Sequence, residues 1–211
     1  MDLSNLRKDF CKGGLSEDML KPTPLELFDL WFKQAQECQI PEVNAMSLAT
    51  VNPEGIPSIR VVLLKAYNED GFVFYTNYES QKAQDIASND NICINFFWEQ
   101  LERQIRIIGK ASKVSKAQSL KYFLSRPSSS QLGAWVSNQS KIISSRSILE
   151  MKFEQMKRKF ANGQIPLPDD WGGYILKPTS FEFWQGRPSR LHDRFKYTQN
   201  NNSWQINRLA P

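Results

Sequence analysis

Ala45-Met-Ser-Leu-Ala-Thr-Val51, then Asn52-Pro-Glu-Gly55, then Ser58-Ile-Arg-Val-Val-Leu-Leu-Lys-Ala-Tyr67 is the stretch that decides the fold. Its residues alternate with a period of two, which sends successive side chains to opposite faces of an extended chain. Asn-Pro-Glu-Gly between the two runs has the residues a tight turn needs. Alternation resumes after a second turn, Asn68-Glu-Asp-Gly71, in Phe72 to Asn77, and again in Ile92 to Trp98 and Arg103 to Val114, which read as a further antiparallel pair. The pattern is a meander, interrupted by a short helix near Ser80 to Ala87.

Outward from this stretch, helices flank the strands. Thr23-Pro-Leu-Glu26 combines an N-cap, a proline at the first helical position and a capping-box glutamate, and predicts a helix to about Cys38. Leu27, Trp31 and Ala35 recur on one face of it and read as core. Ser115-Lys-Ala-Gln118 caps a helix that Pro127 stops at about Arg126, and a longer helix covers roughly Ser145 to Phe160. Pro166-Leu-Pro168 is a linker, and Gly173 to Lys177, Ser180 to Gln185, Arg194 to Gln199 and Trp204 to Leu209 close the chain as strands. About eight strands in hairpin order imply a mainly β fold, an antiparallel barrel with flanking helices, and not a doubly wound α/β sheet. Residues 1–22 lack periodicity and read as a mobile arm ordered only by docking, with 23–211 as a single domain.

The 211 residues suit one well-buried domain, and 40% hydrophobic with 23% charged residues is a soluble globular composition. There is no run of eighteen apolar residues and no signal-peptide pattern, so no membrane is expected and the cytoplasm is the expected location. Cys11, Cys38 and Cys93 are odd in number and far apart, which fits a reducing compartment. With one histidine and no C-x-x-C, no structural zinc site, and no metal, is expected. A net charge of +5 suits nucleic acid or a small phosphorylated ligand, but the cations are scattered among acids without a basic stripe.

The ten glycines form neither a dinucleotide-binding fingerprint nor a P-loop, and the nucleophile elbow G-x-S-x-G is missing. Any phosphate must then be held by side chains and helix N-termini. Arg60-Val-Val-Leu-Leu-Lys65 places a cation near each end of an apolar strand, followed by Tyr75-Thr76 and Lys82; it also reads as a strand with exposed end charges. Lys121-Tyr122 and Arg126 share a helix face, with Ser130 just beyond the proline break and positioned to cap the next segment; this also reads as a solvated helix face. Gln104 and Arg106 share the face opposite Ile105, where a glutamine is an edge residue or a partner for a flat polar ring. Trp184-Gln185, with Gln139-Ser140 as a partner, leads into Gly186-Arg-Pro-Ser-Arg-Leu-His-Asp-Arg194, which holds the single histidine. If Arg190 to Arg194 is extended, Arg190, His192 and Arg194 converge on one face; taken alone, the segment also reads as a solvated basic loop.

In this order, these runs resemble the pyridoxine/pyridoxamine 5'-phosphate oxidase family. The resemblance covers nearly the whole chain and rests on Arg60-Val-Val-Leu-Leu-Lys65, Phe74-Tyr-Thr-Asn77, Leu101-Glu-Arg-Gln104, Tyr122-Phe-Leu-Ser-Arg-Pro127, Gln131-Leu-Gly-Ala-Trp-Val-Ser137, Phe183-Trp-Gln-Gly186, Arg190-Leu-His-Asp-Arg194 and Arg208-Leu-Ala-Pro211. It implies an FMN-binding split β-barrel of Greek-key type, with FMN at a homodimer interface. It also implies oxidation of pyridoxine or pyridoxamine 5'-phosphate to pyridoxal 5'-phosphate by hydride transfer from C4' to flavin N5. Dioxygen would be the acceptor, giving hydrogen peroxide, with ammonia released from the amine. By the family pattern Arg60, Lys82 and Ser140 hold the FMN phosphate or its surroundings, Tyr75, Thr76, Gln104, Gln139, Trp184 and Arg194 line the flavin, and Val61, Val62 and Leu63 run along its edge, with Lys65 at the end of that run. Lys65, Tyr122, Arg126 and Ser130 take the substrate phosphate, Arg190 and His192 act at the substrate ring as catalytic residues, and Arg7 is a lid contact.

Two departures stand out. Gln81 replaces the arginine usual before Lys82, and Phe10 replaces a tyrosine in the arm segment Arg7-Lys-Asp-Phe10. Arg60 and Lys65, five apart, face opposite sides of a regular strand, so one site receives both only through a bulge or an interface location. Two rivals remain open at this level. One is a split-barrel flavoprotein with another substrate or none; the other is a basic β-barrel that binds nucleic acid through its aromatics and is colourless.

Overall fold

Among the described residues, alternation along the chain becomes nine strands: β1 (Ala45–Val51), β2 (Pro57–Leu63), β3 (Ala66–Asn68), β4 (Gly71–Asn77), β5 (Asn91–Trp98), β6 (Arg103–Lys113), β7 (Trp171–Gln185), β8 (Asp193–Asn200) and β9 (Ser203–Arg208). The structure is a computed structural model and describes residues 1–3, 5, 9–161, 163–201 and 203–211. All pairings are antiparallel, in the order β2-β1-β5-β6-β7-β4-β3, with β8 paired to β7 and β9 to β8. β2 and β3 stand at opposite ends of that order, yet only Leu64 and Lys65 separate them in the chain. The sheet therefore curls until its edges approach, which makes a split barrel.

Inside the curl, α1 (Pro24–Glu37) buries Leu27, Phe28, Trp31 and Ala35, and its capping box of Thr23 and Glu26 is formed in both directions. Phe28 is fully buried and packs edge-on against Phe72 and Phe96, with ring centroids 4.9 and 5.3 Å away. Each such ring stabilises the fold by about 1.5–3 kcal/mol relative to exposure. The other helices are α2 (Gln81–Ser88), α3 (Lys116–Ser125), α4 (Ser128–Val136) and α5 (Arg146–Lys159). A second small core joins Phe123 of α3, Leu132 of α4, Ile165 and Trp171. Ahead of α1, the arm docks through backbone donors: Lys12 N bonds Glu102 Oε2 at 2.9 Å and Leu15 N bonds Asp193 Oδ2 at 3.0 Å.

The structure differs from the sequence reading in four places. Ser58 to Tyr67 is two strands, because Leu64 N donates to Asn44 O beyond β1 whereas Lys65 N donates to Val73 O of β4, so the chain changes partners there. Conversely, Gly173–Lys177 and Ser180–Gln185 are parts of the single strand β7, whose irregularity at Pro178 is absorbed by a register shift at Ile108/Gly109. A Cβ on Gly109 would lie 2.1 Å from Lys177 O, so this crossing needs a glycine. Pro127 ends α3 and then serves as the N-cap of α4, a helix the serine run conceals; Ser130 lies inside α4 and caps nothing. Finally, Arg190 to Arg194 is not extended. Pro188–Arg190 is a 3-10 turn with Ser189 and Arg190 at φ of 56° and 60°, and β8 starts only at Asp193, so two-residue alternation does not bring Arg190, His192 and Arg194 together.

Candidate active site

Between β2, β4, α2, α3 and α4 lies a cavity of about 790 Å³. Thirteen of the sequence-predicted site residues line it: Arg60, Val61, Val62, Leu63, Lys65, Tyr75, Thr76, Lys82, Tyr122, Arg126, Ser130, Gln139 and Ser140. The β2–β3 break is what turns both Arg60 and Lys65 into this one space. The lining contains four cations, Arg60, Lys65, Lys82 and Arg126, and among the described residues no carboxylate. Like charges gathered in a concave surface repel unless an anion occupies it.

Lys82 is buried in the α2 wall. Its Nζ donates to Thr76 Oγ1 at 3.2 Å, Gln139 Oε1 at 3.1 Å and Ser80 Oγ at 3.4 Å, all neutral acceptors. Burial, and then the nearby Arg60 charge, push its ammonium down to about 8 from the usual 10.5. Arg60 Nη1 donates to Thr50 Oγ1 at 2.6 Å, and Thr50 in turn donates to the buried Asp85 Oδ2 at 2.6 Å. Ser140 Oγ accepts the α2 backbone donor Gln81 N at 3.2 Å, so Gln139-Ser140 belongs to this wall and, within one chain, does not meet Trp184-Gln185. The Gln81 side chain turns to Asp85 Oδ1 at 2.8 Å.

Opposite, Arg126 emerges where α3 ends. Its Nη1 is, among the described residues, the buried side-chain nitrogen or oxygen without a hydrogen-bond partner. Its guanidinium stands 4.7 Å from the Trp171 ring centroid. Tyr75 and Tyr122 stack at 3.9 Å and 18°. Sequence reasoning misses Trp171, Asp85 and Thr50 as parts of this site. For Trp171 the one available signal is the pair Gly172-Gly173: a Cβ on Gly173 would come within 2.8 Å of the Tyr75 ring, so a side chain there would displace it.

The remaining predicted residues that the structure describes lie elsewhere in the chain, and none of these lines the cavity. Gln104, Trp184 and Arg194 are register neighbours across β6, β7 and β8. The buried Glu182 carboxylate accepts Arg194 Nε and Nη2 at 3.0 and 2.8 Å and also pairs with Arg106, which fixes the Arg194 fork. His192 packs 4.7 Å from Trp184, and its Nδ1 accepts Arg187 N at 3.1 Å, which leaves Nε2 to carry the proton of a neutral ring. Phe10 covers both rings at 5.6 and 5.7 Å. Arg190 is exposed, and Arg7 lies outside the described residues.

Family models match most of the chain: one described as pyridoxamine 5'-phosphate oxidase over residues 32–160, and one described as the pyridoxine 5'-phosphate oxidase C-terminal dimerisation region over 171–211. The pyridoxine/pyridoxamine 5'-phosphate oxidase of Crocosphaera subtropica is 58% identical over 214 residues, covering 100% of both chains. Among solved structures, PhzG of Burkholderia lata in complex with tetrahydrophenazine-1-carboxylic acid superimposes with a TM-score of 0.87 at 26% identity, covering 92% of this chain and 95% of that one. A pyridoxamine 5'-phosphate oxidase-related, FMN-binding protein of Nostoc punctiforme shares the fold with a TM-score of 0.71 at 17% identity, covering 91% of this chain and 100% of that one. With full-length relatives at this identity and family models over both of its parts, the chain belongs to the pyridoxine/pyridoxamine 5'-phosphate oxidase family.

Proposed function

We propose that the cavity binds FMN and that the protein oxidises pyridoxine 5'-phosphate and pyridoxamine 5'-phosphate to pyridoxal 5'-phosphate. The observation that carries this reading is a cavity with four cations, no lining carboxylate among the described residues and a buried arginine nitrogen without a partner. Two phosphate-bearing molecules answer that charge, and the volume lies within the range of small-molecule sites. Arg60, Lys82 and the N-terminus of α2 hold the cofactor phosphate, while Val61 to Leu63, Tyr75, Thr76 and Gln139 bound its ring system. Lys65, Tyr122, Arg126 and Ser130 anchor the substrate phosphate. FMN, when bound, supplies the acceptor for a hydride from the substrate C4' and returns the electrons to dioxygen. Anchoring a remote phosphate through several donors spends binding energy on orienting the reacting carbon.

Gln104, Trp184, Arg190, His192 and Arg194 reach such a site from a second copy of the chain. Ile59, Ala49, Cys93 and Ile108 form one register row across β2, β1, β5 and β6 on the outward face. Ile59, Val61, Phe97 and Ile108 are 72, 67, 56 and 39% exposed, a broad apolar face for one chain to leave in water. Gln104, Trp184 and Arg194 continue the row of Phe97 on that face. A twofold partner covers the apolar rows and carries its own Trp184 and Arg194 to this cavity, so sites come in pairs. Arg190 and His192 then orient the substrate ring. Sedimentation equilibrium is expected to give a dimer, and a monomeric flavin-loaded protein would refute this arrangement. No helix among the described residues is long and apolar enough to cross a membrane, and three free cysteines suit the cytoplasm.

The deciding experiment is the absorption spectrum from about 300 to 550 nm, because the cofactor must carry the electrons. Flavin bands should bleach on anaerobic addition of pyridoxine 5'-phosphate and return with air. A colourless protein that takes up no FMN would overturn the reading. Gln81→Arg adds a cation at the start of α2 and is expected to tighten FMN binding about 5- to 10-fold, the scale of one charge-assisted bond. Unchanged affinity in a flavin-fluorescence titration would remove the α2 N-terminus from the phosphate site.

A further inference from the structure

We infer that Trp171 is a positioning residue for substrate recognition: its ring holds the Arg126 guanidinium in place without a carboxylate, leaving the arginine donors free for a phosphate. The inference rests on the substrate-phosphate role proposed above for Arg126. Buried arginines are normally steadied by an acid, and an acid here would compete with the incoming anion. Instead, Arg126 stands 4.7 Å from the Trp171 ring centroid and 5.9 Å from that of Phe123. An aromatic face attracts the cation and sets the plane of the fork while occupying none of its N–H groups. The unpartnered Nη1 is what such an arrangement leaves behind.

Trp171 is itself held rigidly. It is 8% exposed, its backbone pairs with Asn77 where β7 meets β4, and its N donates to Pro168 O at 3.2 Å. Its ring lies within 9° of parallel to both Tyr75 and Tyr122, at 5.5 and 6.1 Å. One side chain thus touches the tyrosine proposed for the flavin side and both the tyrosine and arginine proposed for the substrate phosphate. Tryptophan is the strongest of the aromatic partners for a cation, which accounts for this residue type at a position where any large apolar group would fill the small core.

The test uses FMN-saturated protein with Trp171→Phe, Trp171→Leu, Arg126→Ala and the Arg126→Ala/Trp171→Phe pair. Trp171→Leu should raise the KM for pyridoxine 5'-phosphate on the order of tenfold with kcat within about twofold, and Trp171→Phe, a weaker cation partner than tryptophan, should raise it about three- to fivefold. With Arg126 already removed, Trp171→Phe should change KM no further, because the ring then has nothing to position. A readout independent of turnover is the Arg126 Nε–H resonance, assigned by Arg126→Lys: the ring current of Trp171 should shift it, and Trp171→Leu should abolish the shift. Equal KM effects of Trp171→Phe with and without Arg126, or an unmoved resonance, would overturn the inference. Should Trp171→Leu fail to fold, the phenylalanine substitution in the two backgrounds decides. A protein that binds FMN normally while KM ignores Trp171 sinks this inference alone; one that binds no FMN sinks the functional reading beneath it.

Discussion

Arg126→Ala should raise the KM for pyridoxine 5'-phosphate on the order of 100-fold and leave FMN affinity within about twofold, because truncating one member of a desolvated charge pair removes about 2–5 kcal/mol. The guanidinium is half-buried against aromatic rings, and its buried Nη1 is unpartnered. Burial holds its pKa below the ordinary arginine value, with the nearby Tyr122 acting the other way. The free protein therefore bears the desolvation of this cation, and the anion relieves it. The same residue should show an opposite effect on stability: Arg126→Met should raise the thermal midpoint of the FMN-free protein while crippling substrate binding, since an apolar side chain suits that wall better than an unpaired charge. Steady-state kinetics and calorimetry on the same two variants check both signs. Equal loss of FMN and substrate affinity would put the residue in the wrong half of the cavity.

FMN affinity should be flat up to about pH 8 and then fall, because the Lys82 ammonium is pushed down to about 8 by burial and by Arg60. Linkage gives the sign. Below pH 8 the lysine is already charged in the free protein, and binding takes up no proton there. Above it, a bound phosphate restores the charged form and must draw a proton from solution, so affinity drops by up to about tenfold per pH unit until the higher pKa of the complex is passed. Lys82→Met should weaken FMN at pH 7 by about 10- to 150-fold, the scale of a lost bond to a charged group. It should also be indifferent to pH from 8 to 9.5, so the two binding curves converge at high pH. Fluorescence titrations at four pH values suffice, and parallel curves would show that another group titrates.

Local signals are legible in the sequence. The capping box at Thr23 and Glu26, the cap at Ser115, the stop at Pro127 and the strand β1 are decided by neighbours a few residues away, and the structure has them where the sequence places them. The features that escape such reading depend on distant partners. The break at Leu64-Lys65 exists because Asn44 on one side and Val73 on the other compete for adjacent donors, and nothing in Arg60 to Tyr67 itself records that. Likewise Pro178 reads as a strand end until Gly109 on the facing strand supplies room for a bulge. At the site, charge makes Arg60, Lys65, Lys82 and Arg126 conspicuous in the sequence. Trp171 and Asp85 act by supporting other side chains, and support is visible only once the supported groups are in contact. Arg190 to Arg194 defeats the alternation rule for a related reason, since Pro188 with two residues at positive φ overrides it.

β7 sets a timetable for the newborn chain. It is made of residues 171–185 yet lies between β4 and β6, so β4 is finished at Asn77 and β6 at Lys113 while the strand that joins them is still untranslated. At ordinary synthesis rates β4 waits roughly 5 to 20 seconds with an open edge. Through that interval its run Phe72-Val-Phe-Tyr75 is an apolar template for the wrong strand. The barrel therefore closes only once β7 has been made, and a ribosome that stalls between α5 and β7 leaves behind a chain with two sticky seams.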